Sequence, residues 1–143
     1  MMRRPKRLQV AALCHQGTGH ARRYLLVTSR GTGRWIIPKG WPIRGLSCSQ
    51  TALQEAWEEA GVTDGDATPN PMARYTYHKR KEFGLGVPVE TLVYSVAVTQ
   101  MSDNFPEAHE RKLIWVKPET AATMVDEPEL QSIFLRESEL LKS

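Results

Sequence analysis

The stretch at residues 40–62, GWPIRGLSCSQTALQEAWEEAGV, constrains the fold more than any other part of the sequence. Its first residues belong to a loop at 38–42, PKGWP, which carries a glycine and leads into a helical pattern. Ser47 and Gln50 have the Ser-x-x-Gln spacing of a capping box, in which each side chain accepts a hydrogen bond from the other residue's amide. Gly61 stands where a helix commonly ends in a left-handed residue. These signals predict one helix between Ser47 and Gly61.

The predicted helix has an apolar face. Ala52, Ala56 and Ala60 recur every four residues, and Leu53 and Trp57 add a second row at the same spacing. Residues three or four positions apart lie on one side of a helix. We therefore expect this face to pack against a sheet.

A second face carries three carboxylates. Glu55 lies three residues from Glu58 and four from Glu59, so a helix brings the three side chains to one side. Like charges at this spacing destabilise a helix by roughly a few tenths of a kcal/mol per pair, and a divalent cation on the carboxylate oxygens removes that repulsion. An acidic face exposed to water is the simpler interpretation. The glycine loop and the cap at Gly61 favour a metal site instead.

The spacing across this stretch resembles the Nudix box. That pattern runs glycine, five residues, Glu, seven residues, Arg-Glu, an apolar residue, any residue, Glu-Glu, any residue, glycine and an apolar residue. The matching positions are Gly40, Glu55, Ala56, Glu58, Glu59, Gly61 and Val62. Two positions depart from it, with Leu46 in place of the first Glu and Gln54 in place of the Arg.

The two departures are interpreted together. The resemblance implies that the family's Glu and Arg help to hold the loop and the helix together and orient the catalytic carboxylates. Removing one partner of a partly buried ion pair is costly, whereas replacing both with uncharged groups is close to neutral. Leu46 and Gln54 are consistent with such a double replacement. An amide does not orient a carboxylate as a guanidinium fork does, so the change bears on the rate of catalysis.

The bulk properties of the chain indicate one domain. Its 143 residues are 41% hydrophobic, enough for a full core, and no apolar run approaches the ~20 residues of a membrane span. Residues 1–7 are basic and lack the apolar stretch of a signal peptide. Cys14 and Cys48 have no ligand-like spacing, so neither a disulfide nor zinc is expected. We predict a cytoplasmic protein with a tail at 1–7 and a Nudix domain at 8–143, with its oligomeric state left open.

Apolar or alternating segments on both sides of the central helix predict strands, and two helices follow near the C-terminus. The predicted strands are 8–13, 24–28, 34–38, 72–78, 90–99 and 113–116, with a polar connection at 64–71. A short helix at 119–125 follows Pro118, and a terminal helix carries an apolar stripe of Leu130, Ile133, Phe134 and Leu140. This order predicts a single α/β domain with a mixed sheet, in agreement with the α/β/α sandwich that the Nudix resemblance implies.

Three further segments are similar to the diphosphoinositol polyphosphate phosphohydrolase branch of the family: LLVTSR at 25–30, RWIIP at 34–38 and RKLIWV at 111–116. That branch also cleaves dinucleoside polyphosphates. The resemblance implies hydrolysis of a phosphoanhydride bond in a polyphosphorylated small molecule, either diphosphoinositol polyphosphates or diadenosine polyphosphates, with neither a nucleic acid polymer nor a membrane as partner. The alternatives are a nucleoside triphosphate or ADP-ribose pyrophosphatase and a non-catalytic polyphosphate-binding module. Retention of all three helix carboxylates argues against the last.

The chemistry of pyrophosphate hydrolysis suggests roles for the helix carboxylates. Attack by water spreads negative charge over phosphoryl oxygens, which divalent ions offset, while a carboxylate accepts the water's proton. We predict Glu55 and Glu59 as ligands of Mg²⁺, with Mn²⁺ as the alternative ion, and the backbone carbonyl of Lys39 or Gly40 as a third ligand. The resemblance assigns Glu58 as the general base, although spacing alone would allow these roles to be exchanged.

Two acidic residues before the last predicted strand, Glu107 and Glu110, are weaker candidates for a further metal ligand. As solvated loop residues they need no such role.

Position in the resembling branch implies a set of substrate-binding residues: Lys6, Arg7, Ser29, Arg30, Arg80 and Arg111. Lys39 adds a cation beside the metal ligands, where a glycine is usual. Arg offers phosphate a bidentate fork, so several of them suit a densely phosphorylated ligand. Each basic residue alone is equally typical of a solvated surface. Trp35 and Trp57 are interpreted as core residues rather than as platforms for a stacked base.

Overall fold

The computed structural model describes residues 7–79 and 86–142. Its strands are β1 (Arg7–Gln16), β2 (Arg23–Thr28), β3 (Trp35–Ile36), β4 (Lys39–Gly40), β5 (Val62–Ala67), β6 (Ala73–Lys79), β7 (Val87–Met101) and β8 (Leu113–Val116). Its helices are α1 (Cys48–Ala60), α2 (Pro118–Met124) and α3 (Pro128–Lys142), and a 3₁₀ turn at Gly19–Ala21 joins β1 to β2. The six predicted strands and three predicted helices are all present, with bounds that differ by a few residues.

The eight strands of the described residues form one sheet in the order β3-β2-β1-β7-β5 along its main path. β4 also pairs with β1, β6 with β7 and β8 with β2. β1 and β7 run parallel, from Arg7 opposite Val89 to His15 opposite Ala97. The other strand pairs are antiparallel, so the sheet is mixed, as the sequence predicts.

Side chains of β1 alternate between two cores, one on each face of the sheet. Ala11 and Leu13 belong to the core that α2 and α3 cover, together with Phe134. Val10 and Ala12 belong to the core that α1 covers. Successive side chains of a strand point to opposite faces, so one apolar strand fills both cores. The predicted α/β/α sandwich is confirmed.

Both predicted ends of α1 are confirmed. Ser47 Oγ accepts a hydrogen bond from the Gln50 amide at 3.2 Å, and Gln50 Oε1 accepts one from the Ser47 amide at 2.8 Å. Gly61 has a φ of 78°, and its N–H donates to the Trp57 carbonyl at 3.0 Å. The predicted alanine face is fully buried against the sheet. The capping residues therefore fix where α1 begins and ends relative to the loop before it.

Two expectations about this half of the chain are wrong. The polar connection predicted at 64–71 begins as strand β5, which pairs with β7 at the sheet edge with an irregular register. An edge strand leaves side chains in water, so its polar composition resembles that of a loop.

Trp57 is half-buried rather than in the core, because the smaller alanines of α1 face the sheet. Together with Leu53, Trp57 lines a groove on the outer side of α1. Trp35, in contrast, packs partly buried against the core as predicted.

The two C-terminal helices follow the prediction with one exception. Pro118 occupies the first turn of α2, and Leu130, Ile133 and Phe134 of α3 are buried. Leu140 is 62% exposed, whereas the next residue, Leu141, packs against the core. Adjacent residues are rotated by roughly 100° around a helix, so only one of these two leucines faces inward. No helix of the described residues combines the length and the apolar character that a membrane span requires.

Candidate active site

The loop before α1 is held against the sheet through β4. Lys39 and Gly40 pair with Ala11 and Val10 of β1, respectively. This pairing places the backbone of Gly40 beside the carboxylate of Glu55: a Cβ atom at position 40 would lie 2.3 Å from Glu55 Oε1. A side chain at this position would therefore displace the carboxylate. The glycine of the box allows the loop backbone and a helix carboxylate to meet.

Glu55 and Glu59 are buried, with 8% and 4% of their surfaces exposed. The Lys39 amide donates a hydrogen bond to Glu59 Oε1 at 3.4 Å. Burial raises the pKa of both carboxyl groups, and burial together with the neighbouring Glu55 carboxyl group raises the pKa of Glu59 to about 8. These two side chains are not part of a solvated acidic face. Carrying two negative charges here requires a cation.

Glu58 has a different environment from the other two carboxylates. It is half-buried, and its Oε1 accepts a hydrogen bond from Gln54 Nε2 at 3.1 Å. Its backbone carbonyl accepts from the Glu107 amide at 3.0 Å, which ties the loop before β8 to α1. Gln54 thus contacts a carboxylate from the box position where Arg is usual. Leu46, the other departure, is 40% exposed and lines the outer groove that Gln54 also lines.

Arg111 extends into the carboxylate cluster. Its side chain is 6% exposed, and Nη2 lies 3.5 Å from Glu59 Oε1 and 2.8 Å from Glu107 Oε1. Nη1 donates to the Thr28 carbonyl at 2.8 Å. The guanidinium therefore connects α1, β2 and the loop before β8. It also lines the cleft beside Glu59, where the sequence predicts it to contact substrate.

Arg30 contacts the same loop from the solvent side. Its side chain is 61% exposed, and it lies 3.4 Å from Glu107 Oε1 through Nε and 3.3 Å from Glu110 Oε2 through Nη1. Both carboxylates that the sequence names as weaker ligand candidates are therefore engaged in ion pairs with arginines. Exposed pairs of this kind contribute little to stability, so Arg30 is easily redirected to another anion.

The site fits a hard divalent cation supported by few protein ligands. Among residues 7–79 and 86–142, no three His, Cys, Asp or Glu side chains form a group that could hold a metal ion. Mg²⁺ is commonly bound by one or two carboxylates, with water and substrate phosphates completing its shell. The buried pair Glu55 and Glu59, beside the loop backbone at Gly40, supplies that kind of donor set.

A cleft of about 840 Å³ opens beside Glu59. Ser29, Lys39 and Arg111, three of the predicted site residues, line it. Charged residues that the sequence analysis did not identify as site residues also line it: Arg34, Lys79, Asp126 and Glu127. They come from β6 and from the segments beside β3 and α3, outside the box, so the box motif does not mark them. The cleft is thus lined by four basic side chains and, besides Glu59, by two acidic ones.

The side chain of Lys39 extends into this cleft. Its ammonium lies 4.1 Å from the centroid of the Tyr77 ring, and the Tyr77 hydroxyl donates to Gln9 Oε1 at 2.5 Å. Burial lowers the pKa of Lys39, and the carboxylates of Glu127 and Glu59 oppose that shift. Within the described residues the ammonium forms no ion pair. It is therefore available to bind an anion.

The remaining predicted residues are separate from this cluster. Arg7 begins β1 and lines neither the cleft nor the adjoining cavity around Arg30. Lys6 and Arg80 lie outside the described residues. The structure therefore brings together Glu55, Glu59, Lys39, Gly40, Ser29, Arg30 and Arg111, with Glu58 at the adjoining turn of α1.

Comparison with known proteins identifies the family. A family model described as the NUDIX domain matches residues 5–136. This match covers more than half of the chain, so the chain belongs to the Nudix family. The prediction made from the box is confirmed despite its two departures. The chain is a pyrophosphohydrolase, the activity of this family of hydrolases.

Solved structures share the fold. The Ap4A hydrolase of C. elegans is 20% identical with a TM-score of 0.72, over 97% of this chain and 100% of that one. The NUDIX domain of Shewanella oneidensis NrtR, complexed with ADP ribose, is 18% identical with a TM-score of 0.68, over 96% and 90%. The E. coli dihydroneopterin triphosphate pyrophosphohydrolase is 14% identical with a TM-score of 0.65, over 90% and 92%. At these low sequence identities, the three comparisons show that the fold is shared.

Proposed function

We propose that the protein hydrolyses a phosphoanhydride bond in a polyphosphorylated small molecule, either a diadenosine polyphosphate or a diphosphoinositol polyphosphate. One observation carries the proposal: a buried pair of carboxylates, Glu55 and Glu59, lies beside a basic cleft large enough for such a substrate. Buried acids with raised pKa values beside a cleft are typical of catalytic sites.

The metal ion is assigned to the carboxylate pair. Glu55 and Glu59, with the backbone carbonyl of Lys39 or Gly40, would hold Mg²⁺ or Mn²⁺, which supplies neutralisation of the charge that develops on phosphoryl oxygens. Arg111 keeps the Glu59 carboxylate in place, since its guanidinium is fixed by Glu107 and Thr28.

Glu58 is assigned as the general base. Its carboxylate is half-exposed, unlike the buried pair, and is therefore open to water. The hydrogen bond from Gln54 restricts its rotamers. Proton acceptance by a positioned carboxylate of this kind contributes about two to four decades in rate.

The basic residues are assigned to the phosphates. Lys39, Arg34 and Lys79 line the cleft directly, and Ser29 and Arg111 line it beside them. Arg30 borders the adjoining cavity of about 490 Å³, which also includes Arg111. The further residues proposed for substrate binding are Lys6, Arg7 and Arg80.

We also propose that residues 1–7 form a basic tail that precedes a catalytic domain at 8–143, and that the protein acts in the cytoplasm.

The structural relatives support a nucleotide-related substrate. One acts on Ap4A, and another is complexed with ADP ribose. ADP-ribose or nucleoside triphosphate hydrolysis is therefore the second candidate. A ligand with only two phosphates would use fewer of the cleft cations than a diadenosine polyphosphate.

A substrate panel tests the proposal. Phosphate or nucleotide release is measured from diadenosine polyphosphates, inositol pyrophosphates, ADP-ribose and nucleoside triphosphates, with Mg²⁺, with Mn²⁺ and with a chelator. We expect metal-dependent turnover, fastest on a ligand with four or more phosphates. Preference for ADP-ribose would support the second candidate, and tight binding without turnover of any member would support the binding module.

A further inference from the structure

Three buried polar atoms lie without a hydrogen-bond partner in the described part of the chain: Tyr75 Oη, Thr91 Oγ1 and Glu127 Oε2. Tyr75 and Thr91 face each other across β6 and β7. The Glu127 carboxylate raises the pKa of Tyr75 beyond the effect of burial, so its charge is close to that hydroxyl. Glu127 is 8% exposed and lines the cleft. Of the three unsatisfied groups, Glu127 is therefore the one that lines the proposed substrate cleft.

A buried carboxylate without a donor is uncommon. Buried polar groups are nearly always hydrogen bonded, and an ionised group without a partner carries a large desolvation cost. The nearby cation does not supply the missing interaction: the Lys39 ammonium lies over the Tyr77 ring, and no ion pair with Glu127 occurs among residues 7–79 and 86–142. Neither the Tyr75 hydroxyl nor the Thr91 hydroxyl is hydrogen bonded to Glu127 Oε2, so a ligand that enters the cleft can supply the missing donor.

We propose that Glu127 accepts hydrogen bonds from the N–H groups of a substrate nucleobase, and so makes the enzyme specific for nucleotides. An ionised carboxylate is an acceptor only, and its bonds to N–H donors are among the stronger ones in proteins. The amino groups and ring N–H groups of purines are donors of this kind. The inference rests on the proposed function, and it selects the diadenosine polyphosphate over the inositol pyrophosphate.

The surroundings of Glu127 suit a flat ring better than a phosphate. Ile36, Tyr77 and Pro128 line the same cleft and offer apolar surface. Asp126 is also on this wall, so a phosphate would meet two negative charges. A fully phosphorylated inositol would bring phosphates to that wall and would offer no N–H group. The phosphates of a nucleotide would instead lie toward Arg111, beside Glu59.

The test is equilibrium binding by calorimetry with a chelator present, so that it does not depend on turnover. The probes are AMP, GMP and purine riboside 5′-monophosphate, which keeps the ring, the ribose and the phosphate but has no N–H on the base. Ribose 5-phosphate is the probe for binding without a base. We expect the wild type to bind AMP or GMP about tenfold or more tighter than the purine riboside nucleotide, the value of one charge-assisted hydrogen bond.

Variants assign that preference to Glu127. Glu127→Leu, close in size and without an acceptor, should reduce the preference to within about twofold, and Glu127→Gln should give an intermediate value. Asp126→Asn is the matched control, since it removes a charge from the same wall while leaving the acceptor, and it should keep the preference. A thermal melt of each variant shows whether it is folded.

Two results would overturn the inference: equal binding of all three nucleotides by the wild type, or a preference that persists in Glu127→Leu. If Glu127→Leu does not fold, the inference is tested by the ratio of the affinities for AMP or GMP and for the purine riboside nucleotide, compared between the wild type and Glu127→Gln. Turnover distinguishes this inference from the proposed function. A preference for AMP or GMP without hydrolysis of any anhydride supports this inference and contradicts the proposed function. Hydrolysis without a preference for these bases supports the proposed function and contradicts this inference.

Discussion

The carboxylate of Glu55 occupies the space that a side chain at position 40 would fill. An ideal Cβ on Gly40 would lie 2.3 Å from Glu55 Oε1, 2.4 Å from Cδ and 2.7 Å from Oε2. The φ of Gly40 is not positive, so its backbone conformation is open to any residue. Glycine is therefore required by the approach of the carboxylate and not by the turn. This contact connects the loop of the box to the site that its helix builds.

Replacing Gly40 with Ala should disturb catalysis more than folding. The methyl group forces Glu55 away from the loop, and a displacement of about 1 Å at a catalytic group costs on the order of a hundredfold in rate. Overpacking of this kind costs about 1–3 kcal/mol in stability. Turnover and urea denaturation of Gly40→Ala measure the two effects.

Gly19→Ala is the control for a general effect of glycine substitution. Gly19 has a φ of 54° and nothing within 4 Å of an added Cβ, so its substitution introduces backbone strain without a contact. We expect a small loss of stability and unchanged turnover. Equal turnover in Gly40→Ala and the wild type would show that Glu55 does not need its present position.

Arg111 should contribute far more to stability than Arg30, although both contact Glu107. Arg111→Ala removes the guanidinium from the buried Glu59 carboxylate and from the Thr28 carbonyl, a change that typically costs about 3–5 kcal/mol, whereas Glu107 keeps its pair with Arg30. Arg30→Ala breaks exposed pairs that contribute less than about 1 kcal/mol. Chemical denaturation of both variants gives the comparison. Similar losses in the two would mean that the Arg111 network is not a structural anchor.

The two departures from the box should be energetically coupled. Leu46→Glu and Gln54→Arg together restore the family's charged pair, whereas Leu46→Glu alone adds an unpaired charge and Gln54→Arg alone directs its guanidinium to Glu58, which Gln54 contacts now. We expect the double variant to be more stable than either single variant, with a coupling of about 0.5–3 kcal/mol. Urea denaturation of the four proteins measures it. Simple additivity would indicate that positions 46 and 54 do not interact.

Much of the fold and the position of the α1 carboxylates could be predicted because their signals are local. The capping box at Ser47, the stop at Gly61 and the carboxylate spacing lie within one helix and its ends, and the structure places them as expected. The walls of the cleft could not be predicted in this way. Arg34 and Glu127 meet only after strands distant in sequence pair and α3 packs on the sheet. The buried state of Arg111 likewise depends on three elements meeting, which no local pattern indicates.

His15 should make the protein less stable in mild acid. Burial, and then the charge of Arg22, lowers the pKa of His15 to about 4, and His15 Nε2 lies 2.9 Å from Ser95 Oγ. The unfolded chain binds a proton below about pH 6.5, whereas the folded chain does so only near pH 4. The stabilisation is therefore fully present above pH 6.5 and is lost as the pH falls toward 4.

The measurement is the difference in unfolding free energy between the wild type and His15→Gln from pH 7.5 to pH 4.5. Carboxylates titrate in both proteins and cancel in that difference. We expect any advantage of the wild type to shrink as the pH falls. A difference that is constant with pH would contradict the assignment to His15.

The carboxylates of α1 are assigned to the hydrolysis, and the decisive measurement is the turnover number of Glu58→Gln and of Glu59→Gln on a diadenosine polyphosphate at saturating Mg²⁺. Each change keeps the side chain's size and removes the charge that the proton or the metal requires. Turnover should fall by about two to four decades while thermal stability holds or rises, since Glu59 is a buried acid. Glu110→Gln, the same change at an exposed carboxylate, should remain active. Full activity in both α1 variants would contradict the assignment of catalysis to these carboxylates.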